Sequence, residues 1–205
     1  MRAGRDPASI TLVAVTKTFP VARIREAIAL GLTTLGENRV QEAVSKIDAI
    51  GTRDAAWHLI GHLQTNKAKL IEGRFAMVQS IDRVEVVEAL DRRLTRPLDV
   101  LIDVNVAEEP QKTGALPVDL PAIAQAVVAA SQLRLRGLMT VAPMASDPEQ
   151  VRPVFRRLRA LRDETNQRLG MALPVLSMGM TDDYPIAVEE GATMLRLGRA
   201  LFGPR

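Results

Sequence analysis

Short apolar segments with the character of β-strands alternate with helix patterns along the whole chain. Eight such segments are predicted as strands, and they lie at 10–16, 33–36, 57–61, 75–81, 98–106, 133–141, 174–178 and 193–197. This alternation is typical of a parallel sheet, because each helix carries the chain back to the start of the next strand. Eight units predict an α/β fold of the closed (β/α)8 TIM barrel type, and a doubly wound open sheet is the alternative.

Helix boundaries are predicted from capping residues, prolines and glycines. The expected helix-start residues are Asp82 with Glu85 three positions later, Asp119, Asp147 before Pro148, and Thr181. A further helix is expected near 64–72, after the third strand. No linker or low-complexity segment divides the chain, so one domain over residues 1–205 is predicted.

The composition is that of an ordinary globular chain, with 47% hydrophobic and 25% charged residues. No apolar run approaches the roughly 20 residues of a membrane span, and the opening MRAGRDPAS has no secretory apolar stretch. Cysteine is absent, which excludes disulfides, a thiol nucleophile and a cysteine-type zinc site. His58 and His62 lie on a predicted strand and its exit loop, so a metal site is not expected. We expect a cytoplasmic protein without a membrane partner.

A net charge of +3 is a weak sign of anionic partners. The densest basic stretch is 152–168, where apolar residues recur at helical spacing, so a solvated helix face is favoured. Aromatic residues are only 3% of the chain, too few for the stacking platform of a single-strand nucleic-acid binder. Nucleic-acid binding is therefore not expected, and an RNA-binding or scaffold protein that uses Arg156, Arg157 and Arg159 is kept as an alternative.

A lysine stands where the first strand ends, within VAVTKTFP. TIM barrels carry their active face at the C-terminal ends of the strands, and Lys17 is predicted there. Other polar residues predicted on that face are Glu37, Asn38, His62, Ser80, Asp82, Asn105, Thr140, 177–181 and 196–199. A lysine amine of lowered pKa is a nucleophile that forms imines with carbonyl groups. Schiff-base aldolases and proteins that hold pyridoxal 5′-phosphate both use this chemistry.

Two glycine motifs near the last two strands are candidate phosphate sites, because TIM barrels commonly bind phosphate there. SMGMT places Gly179 just before the helix start predicted at Thr181, where amides and the helix dipole favour anions. LGRALFG places Gly198 at the tip of the last strand. Asp182 and Asp183 would repel a phosphate unless their side chains are held away from it.

Six longer motifs follow one another from residue 12 to residue 203 and are LVAVTKTFP, GENRVQE, WHLIGHLQTNKAK, SIDR, GLMTVAP and LSMGMTDDYPIAVEEGATMLRLGRALFG. In this order they resemble the pyridoxal phosphate homeostasis protein family, whose barrel is similar to the N-terminal domain of bacterial alanine racemase. The resemblance implies a (β/α)8 barrel with pyridoxal phosphate as its cofactor, bound as an imine to Lys17.

The resemblance also implies the other residues of the cofactor pocket. Asn38 and His62 would line it, and Arg196 would face the pyridine nitrogen. The phosphate cradle would consist of Met178, Gly179, Thr181, Gly198 and Arg199. An arginine cannot replace the aspartate that keeps this nitrogen protonated in other enzymes, so the ring would be a poor sink for carbanions.

The implied function is a holder of pyridoxal phosphate that contributes to vitamin B6 homeostasis without strong catalysis. Racemases add a second domain with a tyrosine base, whereas the only tyrosine here is Tyr184. A small racemase or Schiff-base lyase that depends on the same cofactor is the alternative. Pyridoxal-phosphate-dependent apo-enzymes are implied as recipients, and a monomer is expected.

Three features depart from the usual pattern of the family. The N-terminal helix before the first strand is shortened, which leaves the outer face between the last and first strands under-covered. A dimer through this seam is the alternative to a monomer. Arg199 stands where many members have threonine, so backbone amides would hold more of the phosphate. Thr181 replaces the commoner serine and keeps the hydroxyl.

Overall fold

Eight parallel strands form a closed barrel in the computed structural model, which describes residues 3–203. The strands are β1 (Thr11–Val15), β2 (Thr34–Glu37), β3 (Ala56–Leu59), β4 (Met77–Ile81), β5 (Leu98–Asp103), β6 (Leu133–Met139), β7 (Val175–Ser177) and β8 (Met194–Leu197). Each strand pairs with the next, and β8 closes the barrel on β1 by pairing Leu197 with Ala14. The predicted TIM barrel is confirmed, and this closing pair excludes the open sheet.

Helices follow the strands around the outside of the barrel. They are α1 (Val21–Ala29), α2 (Val40–Ile50), α3 (Val84–Asp91), α4 (Leu120–Ala129), α5 (Arg152–Leu169), α6 (Tyr184–Glu189) and α7 (Arg199–Phe202). Short 3-10 segments lie at Pro7–Ser9, Thr65–Leu70 and Pro148–Val151. None of the helices described for residues 3–203 is long and apolar enough to cross a membrane.

The helix expected near 64–72 is present, and it is a 3-10 helix. The connection between β3 and β4 is the 3-10 segment Thr65–Leu70, followed by a turn. Ala68 and Ile71 are buried there. Both residues pack into the main hydrophobic core, so they anchor this short connection against the barrel.

Two expected helix-start residues occupy their predicted positions. Asp147 accepts a hydrogen bond from Glu149 N at 2.9 Å and caps the 3-10 segment that leads into α5. Asp119 immediately precedes α4, although its carboxylate makes no capping bond to the residues that the structure describes. The sequence therefore located these helices correctly, but only one of the two caps is formed by a side chain.

Two other expected helix starts are wrong. Asp82 does not cap α3, because its carboxylate binds the His62 ring instead, at 2.8 Å. Thr181 does not begin a helix, because α6 begins only at Tyr184. The intervening turn is closed by the buried Asp183 side chain, which accepts a main-chain hydrogen bond at 2.6 Å. In both cases a polar contact that the local pattern does not reveal moved the helix start.

The barrel interior is apolar in its middle and polar toward the C-terminal mouth. The middle layer consists of Val13, Met77, Leu101, Met139 and Met194. Beside it Gly137 on β6 approaches β7 so closely that a Cβ would lie 1.9 Å from Val175 O. The buried polar residues toward the mouth are His58, Gln79, Asp103, Ser177 and Arg196. This polar layer lies beneath the strand ends that carry the candidate site.

Among residues 3–203, only short segments cover the outer face between β8 and β1. The 3-10 segment Pro7–Ser9 precedes β1, and the four-residue α7 follows β8. Phe19 and Phe202 pack there with ring centroids 4.7 Å apart. The shortening of the helix before β1 relative to the family stays a prediction. A single domain over residues 1–205 stays a prediction, because it includes residues outside the described range, namely Met1, Arg2, Pro204 and Arg205.

Candidate functional site

Lys17 lies in a tight turn directly after β1. Phe19 N donates to Thr16 O at 3.1 Å and closes the turn, and Thr18 has a positive φ of 69°. A positive φ at the third residue is the geometry of a type II turn, and it is uncommon for a β-branched residue. The turn places Lys17, half-buried, at the C-terminal mouth of the barrel as predicted.

Asn38 follows β2 beside the exit of β3. Gly61 lies so close to it that a Cβ at this glycine would be 2.2 Å from Asn38 O. Asn38 Oδ1 is buried and has no hydrogen-bond partner among the described residues. A buried acceptor without a partner costs roughly 1–3 kcal/mol. This oxygen therefore fits a hydrogen-bond donor supplied by a ligand.

His62 lies at the same mouth and is oriented by Asp82. The His62 Nδ1 atom is 2.8 Å from Asp82 Oδ2, and Arg83 donates to the other carboxylate oxygen at 2.6 Å. Because a carboxylate accepts, Nδ1 carries the proton of this bond. Nε2 of the neutral ring is then an acceptor, so His62 can receive a hydrogen bond from a ligand.

Arg196 lies inside the barrel at the end of β8 and is 4% exposed. Its NH1 donates to Ser177 Oγ and its NH2 to Thr140 O, both at 2.7 Å. Burial lowers the pKa of Arg196 to about 10, although the nearby carboxylates Asp103 and Asp183 raise it. The guanidinium therefore remains a cation at neutral pH and can only donate hydrogen bonds.

A one-way string of hydrogen bonds runs from Arg196 across the barrel. Ser177 Oγ accepts from Arg196 and donates to Gln79 Oε1 at 2.6 Å. The amide nitrogen of Gln79 must therefore face His58, whose Nδ1 accepts from it at 2.9 Å. Burial lowers the pKa of His58 to about 4, so the ring is neutral and can accept. The string fixes the position of the Arg196 guanidinium below the mouth.

Asp103 at the end of β5 is a second buried ionisable residue in this layer. Burial raises its pKa to about 7, against the attraction of the Arg196 cation and with the repulsion of Asp82. An unfolded aspartate titrates at about 3.9. As the pH rises from about 4 to about 7, the unfolded chain releases this proton before the folded chain does, so the folded state loses stability.

We predict that this loss disappears in Asp103→Asn. Between pH 4 and pH 7 the wild type is expected to lose on the order of 4 kcal/mol of unfolding free energy relative to the variant, because the pKa of Asp103 differs by about three units between the folded and unfolded states. Thermal or urea unfolding across this pH range measures the difference. Asp99→Asn at the other end of β5 is the matched control and is expected to keep the wild-type pH slope. An unchanged slope in Asp103→Asn contradicts the prediction.

The turn after β7 supplies main-chain donors. Gly179 has a φ of 95°, and a Cβ there would lie 2.6 Å from Ala187 Cβ, so glycine is required. Within residues 3–203, the N–H groups of Gly179 and Thr181 donate to no protein acceptor. Met178 N differs, because it donates to Met194 O at 3.1 Å. Two amides without a protein partner fit an anionic ligand such as a phosphate.

The turn after β8 lies beside them. Gly198 precedes α7 with a φ of −116°, and a Cβ there would have its nearest contacts 3.6 Å away, at Val15. Arg199 forms an ion pair with Asp182, and both side chains are mostly exposed. Asp183 is turned inward and caps the turn after β7. Each carboxylate that would repel a phosphate therefore has a partner within the protein.

The structure brings most of the predicted site residues to one mouth. Lys17, His62, Gly179 and Gly198 lie at strand ends, and Arg196 lies just below them. Their roles toward a cofactor stay predictions, as do those of Asn38, Met178, Thr181 and Arg199. The sequence reasoning missed the buried string through Gln79 and the charge of Asp103. The alternation of inward and outward residues along β4 and β5 was the signal that would have placed both inside.

The sequence of this chain is similar to those of known proteins. The family model described as alanine racemase, N-terminal domain, matches residues 3–205. The chain is 43% identical to the pyridoxal phosphate homeostasis protein of Aquifex aeolicus, over 100% of this chain and 91% of the relative. It is 44% identical to the protein of the same name from Pseudomonas aeruginosa, over 99% of this chain and 88% of the relative.

A similar barrel has been solved with a ligand in place. PipY from Synechococcus elongatus, solved with PLP bound, superposes with a TM-score of 0.88 and 38% sequence identity. The match covers 98% of this chain and 96% of that chain. The similarity therefore extends over the whole barrel in both sequence and fold.

Proposed function

Because this chain belongs to the alanine racemase N-terminal domain family and is similar over its length to pyridoxal phosphate homeostasis proteins, we propose that it binds pyridoxal 5′-phosphate and contributes to intracellular homeostasis of this cofactor. Lys17 holds the cofactor as a Schiff base. The role is that of a holder and carrier, without strong catalytic activity of its own.

The proposal rests chiefly on the juxtaposition of Lys17 with the glycine turns of β7 and β8. β1 pairs with β8, and Val15, two residues before Lys17, is 3.6 Å from the position of a Cβ at Gly198. Gly179 and Thr181 add N–H groups that lack a protein acceptor within residues 3–203. An amine next to an anion-binding turn fits an aldehyde that also carries a phosphate. The orphaned oxygen of Asn38 is a further polar atom that this ligand can satisfy.

Pyridoxal phosphate supplies an aldehyde and, in enzymes, an electron sink. Lys17 Nζ must be unprotonated to attack the aldehyde carbon; a C=N bond then forms and the aldehyde oxygen leaves as water. The amides at Gly179, Thr181 and Gly198 hold the phosphate, with Arg199 and the backbone at Met178 beside them. Asn38 and His62 line the ring.

Arg196 is the residue that favours a holder over an enzyme. Its guanidinium is fixed below the mouth by Ser177 and the Thr140 carbonyl, and it stays protonated at neutral pH. Facing the ring nitrogen, it can donate a hydrogen bond but cannot leave a proton there, so carbanion chemistry is poorly supported. A racemase or Schiff-base lyase would instead turn over alanine, serine or threonine faster than free cofactor does, which chiral analysis of the products measures.

The proposed partners follow from the same role. Pyridoxal-phosphate-dependent apo-enzymes are the recipients, the location is cytoplasmic, and the protein is a monomer, with a dimer through the seam as the alternative. The basic helix α5 is not proposed as a nucleic-acid site. Arg152, Arg156 and Arg159 all contact Glu190, and Arg157 contacts Glu164. Arginines paired in this way present less positive charge to phosphates.

Reduction with borohydride tests the function directly. Pyridoxal phosphate is added to the purified protein, and hydride delivered to the C=N bond converts it into a stable secondary amine. Peptide mass spectrometry is expected to find this adduct on Lys17. Labels spread over exposed lysines, with no excess at Lys17, would overturn the proposal.

Gly198→Ala is predicted to weaken cofactor binding while leaving the fold intact. The backbone at this position is allowed for alanine, and the nearest protein atoms to the new Cβ are at 3.6 Å. The methyl group instead occupies space that the phosphate needs beside the turn. We expect the apparent Kd for pyridoxal phosphate to rise by at least about tenfold. An absorbance titration measures the Kd, and an unchanged value in a normally folded variant would contradict the phosphate assignment.

A further inference from the structure

Lys46 on α2 reaches the back of the turn that carries Lys17. Its Nζ donates to Thr16 O at 2.8 Å and to the Oε1 atoms of Glu37 and Glu42, each at 2.7 Å. The Lys46 side chain is only 9% exposed. An ammonium group has three protons to donate, so these three bonds use all of them.

The same network binds both chain neighbours of Lys17. Glu37 Oε1 accepts from Thr16 Oγ1, and Glu42 Oε1 accepts from Thr18 N, each at 2.6 Å. Thr18 has the positive φ that a β-branched residue rarely adopts. Such a conformation persists only where the surroundings hold it, and here the Thr18 N–H is bound by Glu42, which is itself bound by Lys46.

The electrostatics show that this cluster is not an ordinary surface ion pair. Burial raises the pKa of Glu37, against hydrogen bonds from Lys46 and Thr16 that lower it. Glu42 is also partly desolvated, but hydrogen bonds from Lys46 and Thr18 hold its pKa below the usual value. A buried ion pair adds little net stability, so its value to the protein is better sought in geometry.

We propose that Lys46 and Glu42 are positioning residues, which hold the turn around Lys17 so that its amine meets the aldehyde of the cofactor in one orientation. The inference rests on the proposed function, in which Lys17 is the residue that condenses. Lys46 binds the backbone before Lys17, at Thr16 O, and Glu42 binds the backbone after it, at Thr18 N. A misplacement of about 1 Å at a reacting group can lower a rate about a hundredfold.

The experiment compares how fast pyridoxal phosphate condenses with Lys17 in cofactor-free variants, read by borohydride quenching and mass spectrometry. Lys46→Met is expected to be about 10- to 100-fold slower than wild type, and Glu42→Ala about tenfold slower. Glu42→Gln keeps an acceptor for Thr18 N and is expected to recover most of the rate. Lys69→Met removes an exposed lysine and is the matched control, with no expected change.

A second readout does not use the cofactor. Formaldehyde with cyanoborohydride methylates lysines according to the accessibility and pKa of each amine, and the rate at Lys17 is followed by mass spectrometry as a function of pH. Lys69 serves as the internal reference. The pH profile at Lys17 is expected to shift in Lys46→Met and Glu42→Ala, and not in Glu42→Gln. Circular dichroism reports the folded fraction of each variant.

The outcomes separate the two proposals. If wild type forms no Lys17 adduct with pyridoxal phosphate, the proposed function fails, and a shifted methylation profile in the variants still supports the positioning inference. If wild type forms the adduct and Lys46→Met and Glu42→Ala match it in rate and profile, the function stands and the inference is overturned. A slower reaction that only follows the loss of folded protein also overturns it.

Discussion

Lys17→Ala is expected to abolish the borohydride-stable adduct with pyridoxal phosphate. The Lys17 side chain lies half-buried in the tight turn after β1, outside the two hydrophobic clusters of the core, so the fold is expected to remain. The Schiff base needs a primary amine at this place, and alanine offers none. Intact-protein mass spectrometry after reduction measures the loss, which should exceed about a hundredfold if the proposal holds.

Lys69→Ala is the control for this experiment, because it removes another lysine, an exposed one, from the 3-10 segment after β3. It is expected to give the wild-type adduct. Residual binding of the cofactor to Lys17→Ala is compatible with the proposal, since the phosphate turns remain in place. An adduct of wild-type yield on another residue of Lys17→Ala would contradict the assignment.

Gly137→Ala is expected to destabilise the fold far more than Gly198→Ala does. A Cβ at Gly137 would lie 1.9 Å from Val175 O and 2.7 Å from the carbonyl carbon, both main-chain atoms of β7. Neither atom can move without opening the β6–β7 pairing. We expect a loss of at least about 3 kcal/mol in unfolding free energy, equivalent to a melting temperature lower by roughly 6–12 °C.

Gly198→Ala is the matched control for Gly137→Ala. Neither glycine has a positive φ, so backbone strain is not a factor, and the nearest contact of a Cβ at Gly198 is at 3.6 Å. Gly137→Ala should therefore lose stability, whereas Gly198→Ala should lose affinity for the cofactor. Equal melting temperatures for wild type and Gly137→Ala would contradict the packing argument.

The barrel was predictable from the sequence because each unit has its own local signal. Strands such as β1 contain continuous apolar runs, here Leu12 to Val15, and the helices between the strands have apolar faces at helical spacing. The errors arose where a distant partner decides the local structure. Asp82 has a capping pattern but binds His62, which lies twenty positions earlier, and no local pattern contains that contact.

Only the residues of the candidate site that lie at the strand ends could be grouped from the sequence. The ends of parallel strands meet at one mouth, so Lys17, Gly179 and Gly198 could be grouped without knowing any distance. The supporting layer could not be grouped in this way. Gln79 reaches Ser177 across 98 positions of sequence, and Lys46 reaches the Lys17 turn from the helix layer behind the barrel wall. Such contacts depend on which face of a strand or helix each side chain occupies.

The ion pair between Arg199 and Asp182 bears on how the ligand leaves the proposed pocket. In the proposed pocket, the arriving phosphate and the aspartate compete for one guanidinium. Under the proposed function, Asp182 regains its ion pair with Arg199 when the phosphate leaves, which favours release of the ligand.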